Sequence, residues 1–338
     1  MLENIVAVFM MLSLILYALM GGADFGGGMW DLLAAGPRAA RQRAVIAEAI
    51  GPIWEADHVW LILVIVLLFT GFPIGFSAMM TALNVPFSLM LIGVVLRGSA
   101  FIFRKYDAAS VGVQRRWSKV FGAASVFTPF FQGVIIGALA TGRIRIVNDR
   151  VVTGYFAGWL TPFAFSCGLF AVGIFAFLAA VYLTVETEDQ PDLQNDFRLR
   201  ALWSGVALVT IAGAVFLASK EGAPDLFHGL TRSWTPLLWV WTSLLAFGGL
   251  LALWLQRFAV ARFAAAGQVT FILVGWSLAQ YPNLITPDAT IGNTRAPDIT
   301  LRLLLLVLGA GAIVLLPSLA FLFYIFKVKE GRGSRNQG

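Results

Sequence analysis

Cysteine is almost missing from this chain: Cys167 is the single one among 338 residues. That excludes a disulfide framework and any metal site built on paired cysteines. Histidine is nearly as rare, with only His58 and His228. Charge is scarce as well. Asp, Glu, Lys and Arg make up 12% of the residues, about half the share a soluble domain carries. No polar stretch is long enough to form a soluble domain; the longest polar connections are 186–197, 219–234 and 282–300. What is plentiful is apolar, with 59% hydrophobic residues, 28 Phe, 11 Trp and a mean hydropathy of +0.82. The composition is that of an all-α polytopic membrane protein. The net charge of +6 does not signal nucleic acid, because the basic residues sit in short loops between apolar runs.

About 20 apolar residues cross a bilayer, and by that measure nine segments are expected, near 5–33, 54–82, 85–105, 118–141, 156–185, 198–219, 234–256, 260–282 and 301–326. The seventh and eighth are separated only by "LQRFAVARF". Orientation follows from the basic loops. With the N-terminus outside, sixteen Lys and Arg fall on the inner side, including Arg38, Arg41, Arg43, Arg104, Arg198, Arg200, Arg257 and Arg262, and seven on the outer side. N-outside and C-inside, with an odd number of spans, is therefore expected. Many Trp lie near segment ends, as interfacial anchors do. "MLENIVAVFMM" has no basic leader and is not read as a cleaved signal peptide. Loop spacing hints at a duplication of segments one to four in five to eight, with a ninth left over.

The ionisable residues inside these segments are the informative minority, because charge at membrane depth is costly and marks pathways or pairs. At about 1.5 Å per residue, Asp24 in "GGADFGGGMW" lies toward the inner end of the first segment, Glu55, Asp57 and His58 at the inner start of the second, and Arg97 in the inner half of the third. Three segments thus bring charge to one depth. Pro52 suits a helix start, and Glu55 and Asp57 follow where the helix dipole favours negative charge. Glu55 and His58, three apart, share a face; Asp57 points elsewhere. A carboxylate beside an imidazole at that surface can accept protons and pass them inward. The plainer reading stands next to it: Asp24, Asp57 and Arg97 form a structural ion-pair set that lets helices pack.

His58 as a heme ligand would need a second membrane histidine, and His228 falls in an outer loop. The five glycines of "GGADFGGGMW" allow close helix approach and lack the Lys-Ser/Thr ending of a phosphate loop. Pro73, Pro129, Pro162 and Pro317 are expected to kink helices. Gln132, Gln268 and Gln280 are expected to make interhelical hydrogen bonds, and Ser166 and Cys167 to be core residues.

"GGADFGGGMW", "AIGPIWEADHVWLI", "RGSAFIFRKYD", "SLAQYPNLI" and "LLPSLAFLFYIFK", in this order along nearly the whole chain, resemble subunit II of the cytochrome bd-type terminal oxidases. The resemblance implies nine transmembrane helices in two four-helix bundles plus one peripheral helix, here about 1–145, 150–285 and 300–327. It implies a non-heme subunit, inactive alone, of a quinol:oxygen oxidoreductase in a bacterial or archaeal cell membrane. The hemes, b and d or b only, would be held by the partner subunit I, which oxidises quinol and reduces dioxygen to water with cytoplasmic protons. Glu55 matches the acidic position of a family proton path, continued here by Asp57 and His58. Trp60, with Trp54, matches the mouth of a lipid-facing oxygen channel. A structural quinone in this subunit and a small single-helix accessory subunit belong to the same expectation, while no residue here is expected to be catalytic or to bind metal. Some relatives carry Asp at the position of Glu55 and amides at those of Asp57 and His58. A secondary transporter is the competing reading, but it needs charges near the midplane of both halves, and the later segments carry amides without a buried acid.

Overall fold

A computed structural model describes residues 1–51, 54–106 and 111–333, apart from the side chains of 54–56, 105–106, 111–112, 115, 316, 319–320 and 322–333. Twelve helices run in the order α1 (Leu2–Leu32), α2 (Ala39–Ile50), α3 (Trp54–Gly71), α4 (Pro73–Ala82), α5 (Asn84–Tyr106), α6 (Val111–Ala140), α7 (Pro162–Glu186), α8 (Pro191–Gly222), α9 (Pro224–Leu230), α10 (Thr235–Trp254), α11 (Phe258–Gln280) and α12 (Asp298–Gly333). Two small hairpins complete the described residues: β1 (Ile146–Val147) with β2 (Arg150–Val151), and β3 (Asn283–Ile285) with β4 (Ala289–Thr290).

Among the described residues eight of these helices are long and apolar enough to cross a membrane, and α3 with its bent continuation α4 makes a ninth when the pair is counted as one span. α1, α3, α5 and α6 make one four-helix group, and α7, α8, α10 and α11 a second. α12 lies outside both, against α1 and α3. The groups are joined because α7 packs on α1 and α6, and α11 on α1. α1 is the hub, and its glycines show why. Gly21 faces Asp57 of α3, Gly22 and Gly26 face Phe175, Leu178 and Ala179 of α7, Gly27 faces Ile50 of α2, and Gly28 faces Ser125 of α6. Four neighbours approach one helix closely because those five positions carry no side chains to hold them off.

Local chemistry bears out one expected kink and corrects other expectations. The apolar run 54–82 bends at Pro73. The residue before a proline disfavours helical geometry, α3 stops at Gly71, and α4 leaves at 116°. The 18 residues of α3 cover about 27 Å, close to the hydrocarbon thickness. α4 then folds across the helix ends, burying Gly75, Ala78, Met79 and Ala82. Pro162 does not kink a span but starts one, at the first turn of α7 behind a Thr161 cap that accepts from Ala164 N. Pro129 and Pro317 lie inside α6 and α12. The polar stretch 186–197 is mostly not a connection, because α8 already begins at Pro191. The narrow break between the seventh and eighth spans is a Schellman motif: Gln256 takes φ 57°, Arg257 N reaches Ala252 O, and Gln256 N reaches Leu253 O. The guanidinium of Arg198 binds the last carbonyls of α10, Leu253 O and Trp254 O.

The helix ends sort into two faces. On the face of the N-terminus, Arg295 pairs with Glu3 at 3.3 Å, Thr286 N donates to Leu139 O, and Ala296 N to Gly71 O. On the opposite face, Arg38 pairs with Asp196 at 2.6 Å, Gln42 donates to Asp196, and Arg200 donates to Gln42 Oε1. The N-terminal face is clasped by Asp288, which accepts from Ile146 N and Arg145 Nε, both at 2.8 Å. The β1–β2 turn supplying these donors places Asn148 and Asp149 at φ 50° and 59°, as a tight hairpin requires. Partial burial pushes the Asp288 carboxyl up, but the Ile146 and Arg145 hydrogen bonds outweigh it and hold it below the ordinary carboxylate value. A carboxyl lowered on folding stabilises above its unfolded value, about 3.9, and loses that contribution as pH falls through the folded value. Limited proteolysis between 141 and 161 is therefore expected to quicken below about pH 4, and Asp288→Asn to show the faster cleavage already at neutral pH.

Candidate functional site

The first group of helices encloses a ladder of polar residues that follows from spacing. Residues seven apart fall about 20° short of two full turns and about 10.5 Å apart along the axis, so they share a face. Tyr17, Asp24 and Asp31 repeat this way on α1, Arg97 and Arg104 on α5, and Ser125 and Gln132 on α6. The three helices meet along these faces and pair the residues in layers. Nearest the face opposite the N-terminus, Arg104 Nη1 lies 3.1 Å from Asp31 Oδ2, an ion pair without hydrogen-bond alignment. In the middle layer, Arg97 Nη2 donates to Asp24 Oδ1 at 2.5 Å and to Asp24 O at 3.1 Å, and Arg97 Nε to Ser125 Oγ at 3.0 Å. The same guanidinium lies 4.5 Å and 4.8 Å from the ring centres of Phe25 and Phe121. Deepest of the three, Gln132 Nε2 donates to the Tyr17 hydroxyl.

α3 adds the fourth wall. Asp57 is fully buried, its Oδ2 near Gly21, while Oδ1 meets His58 Nδ1 at 2.5 Å. The imidazole, about a quarter exposed, stands over Phe25, which also stacks on Phe175 of α7. Trp60, one turn on, is buried and donates to Met20 Sδ at 3.2 Å. The backbone of Trp54 and Glu55 belongs to the first turn of α3, and their side chains lie outside the described residues, as do Pro52 altogether and the side chain of Lys105.

The structure thus brings Asp24 and Arg97 together, and sets Asp57 and His58 beside them. It sets the His58 imidazole against its sequence neighbour Asp57, while the expected approach of Glu55 to His58 lies outside the described side chains. Asp31, Tyr17 and Ser125 were missed from the sequence, and Arg104 was placed in a loop; the seven-residue repeat was the available signal. All four buried charged residues, Asp24, Asp31, Asp57 and Arg97, belong to this first group of helices among the described residues. The other half offers polar atoms only, such as buried Gln268 and Gln280, the latter donating to Leu284 O. Ser166 bonds back to Phe163 O, and Cys167 packs on Gly133 and Gly137.

Sequence comparison decides what kind of membrane protein this is. A family model described as cytochrome bd terminal oxidase subunit II matches residues 2–326. The chain belongs to that family. Two Bacillus subtilis proteins are similar over most of their length. One, a putative cytochrome bd menaquinol oxidase subunit II, is 22% identical over 92% of this chain and 91% of its own. The other, a cytochrome bd ubiquinol oxidase subunit 2, is 26% identical over 90% of both chains. The cytochrome bd-I ubiquinol oxidase subunit 2 of Escherichia coli K12 is 28% identical over 59% of this chain and 51% of its own. The fold matches the bd oxidase of Geobacillus thermodenitrificans with a TM-score of 0.75, covering 96% of this chain and 98% of that one at 22% identity. Subunit II is therefore a multi-span component of an oxidoreductase complex in a cell membrane, with a subunit I as partner and hemes carried by the complex.

His58 Nδ1 is engaged by Asp57, and His228 sits in α9 on the N-terminal face. The two histidines stand at opposite surfaces and cannot ligate one heme. The transporter reading finds no support in the fold or in the relatives.

Proposed function

We propose that this subunit II gathers protons at the cytoplasmic surface for a heme-bearing subunit I that oxidises quinol and reduces dioxygen to water. The observation that carries this is the pair of buried Asp57 and partly exposed His58 near the start of α3, beside the neutralised Arg97–Asp24 pair. Arg97 already balances Asp24, so the charge of Asp57 is left to the imidazole. A proton arriving at His58 completes that balance, and its departure undoes it. An imidazole hydrogen-bonded to a carboxylate is suited to relay a proton. Glu55, two residues nearer the surface, is the collecting acid. Sixteen basic residues against seven on the outer side make the C-terminal face the cytoplasmic one.

The hemes, b and d or b only, belong to subunit I. A structural quinone within subunit II and a small single-helix accessory subunit complete the assembly. Trp54 and Trp60 mark the mouth of the oxygen channel, where α3 turns Ile62, Ile65, Val66 and Phe69 outward. The assembly is tested by a reduced-minus-oxidised spectrum of the tagged chain purified gently from its native membranes. Heme bands alongside a second large membrane chain are expected; a heme-free preparation of this chain alone would overturn the pairing. Glu55→Gln is expected to keep the hemes and to slow quinol-driven oxygen uptake by about 10²-fold, the lower range for a lost proton-transfer group. Wild-type turnover in that variant would remove Glu55 from the path.

A further inference from the structure

We propose that Tyr17 and Gln132 are positioning residues for the Asp57–His58 pair, acting through internal water held among Asp57 Oδ2, Asp24 Oδ2, Thr128 Oγ1 and Gln132 Oε1. The inference rests on the proton-path reading above. It starts from hydrogen bonds that are not made. Those four atoms are buried and lack a hydrogen-bond partner among the described residues. One such atom in a protein interior is costly; four on three helices that pack together mark a polar interior of the kind that holds ordered water.

Two glycines shape the place. Asp57 Oδ2 and the Tyr17 ring edge each lie 3.3 Å from where a Cβ on Gly21 would stand, so both side chains close over the same glycine. Gly93 of α5 gives up its Cβ to the Thr128 hydroxyl, which a side chain there would strike. Thr128 and Gln132 are one turn apart on α6, on the face that Ser125 presents to Arg97.

The hydrogen bonds point one way. Gln132 Nε2 donates to the Tyr17 oxygen, so the Tyr17 proton is free to be given onward, and the carboxylate that closes over Gly21 with its ring is Asp57. Amide to hydroxyl to water to carboxylate is a run of donors that ends on Asp57 Oδ2. The other groups facing Asp57 are few. α1 brings Asp24 and Tyr17, α5 brings Arg97, and α6 brings only Ser125, Thr128 and Gln132. α12 meets the far end of α3 through Leu301 and Leu304, and α4 carries no charge. On α3 itself stand His58 and, outside the described side chains, Glu55. The donors from Tyr17 and Gln132 therefore help set how tightly the pair holds its proton, and with it the pH range in which the pair can pass one on.

The test uses the purified oxidase complex with Tyr17→Phe, Gln132→Leu and Asp57→Asn. The readouts are the heme spectrum, the pH profile of quinol-driven oxygen uptake, and the infrared band of a protonated buried carboxylic acid. Tyr17→Phe and Gln132→Leu are expected to keep the hemes and to move the alkaline limb of activity upward by about one pH unit, the equivalent of one lost hydrogen bond to a charged group. The infrared band should shift in both and vanish in Asp57→Asn. Wild-type profiles in Tyr17→Phe and Gln132→Leu beside a changed profile in Asp57→Asn would overturn this proposal and leave the proton-path reading standing. A wild-type profile in Asp57→Asn would remove Asp57 from the path and this proposal with it. Should Gln132→Leu fail to assemble, Tyr17→Phe decides, since it deletes one oxygen and no packing.

Discussion

Arg97→Met is expected to abolish the assembled subunit. The guanidinium is 3% exposed and serves Asp24 and Ser125 at once, between the rings of Phe25 and Phe121. Methionine preserves most of the side-chain volume but leaves the buried Asp24 carboxylate with no countercharge. Breaking a buried pair in this way costs about 3–5 kcal/mol, a large share of the about 5–15 kcal/mol that holds a domain together. Replacing both members is different, because the desolvation penalty disappears with the attraction. Asp24→Leu combined with Arg97→Met is expected to recover assembly that Arg97→Met lacks. Heme absorbance per tagged complex after size exclusion reads both. Equal yields of the wild type and Arg97→Met would show that the pair is not what joins α1 to α5. Failure of the double variant would show that the charges themselves are required.

The second large effect is expected from a single methyl group. In Gly26→Ala the new Cβ would meet the backbone carbonyl of Phe175 and the Cβ of Ala179 on α7. Neither is the end of a flexible side chain, so the helices themselves must part. Overpacking typically costs about 1–3 kcal/mol where side chains can yield; here they cannot, and α1 also sets Gly22 against α7 and Gly21, Gly27 and Gly28 against three further neighbours. Gly213→Ala is the control. It lies on the exposed face of α8 with nothing near its absent Cβ, and alanine in a helix is favoured over glycine by about 1 kcal/mol. Loss of complex in Gly26→Ala with equal or better thermal stability in Gly213→Ala is the expected pattern. An intact Gly26→Ala complex would mean that the two helix groups are not held by this contact.

Much of this protein was legible without coordinates, for a physical reason. A bilayer demands about 20 apolar residues per crossing and taxes every charge, so span number and the rarity of Asp24, Asp57, His58 and Arg97 are written in composition alone. The family motifs are local and survive as strings. What local reading could not supply is direction. Asp57 lies beside His58 in sequence and pointed elsewhere on a helical projection, yet the imidazole turns to it. Arg104 read as a loop cation, yet α5 runs on to Tyr106 and carries it to Asp31. Pro73 marked a kink in the run 54–82, but not its 116° angle or the helix ends across which α4 lies. The Tyr17–Gln132 contact joins residues 115 positions apart, and no periodicity within either helix says which neighbour it will face. Hydrophobicity decides that a helix is buried in lipid or protein. Which helices touch, and at what depth their polar residues meet, is decided by close packing, and here by five glycines on α1 that let four helices approach it.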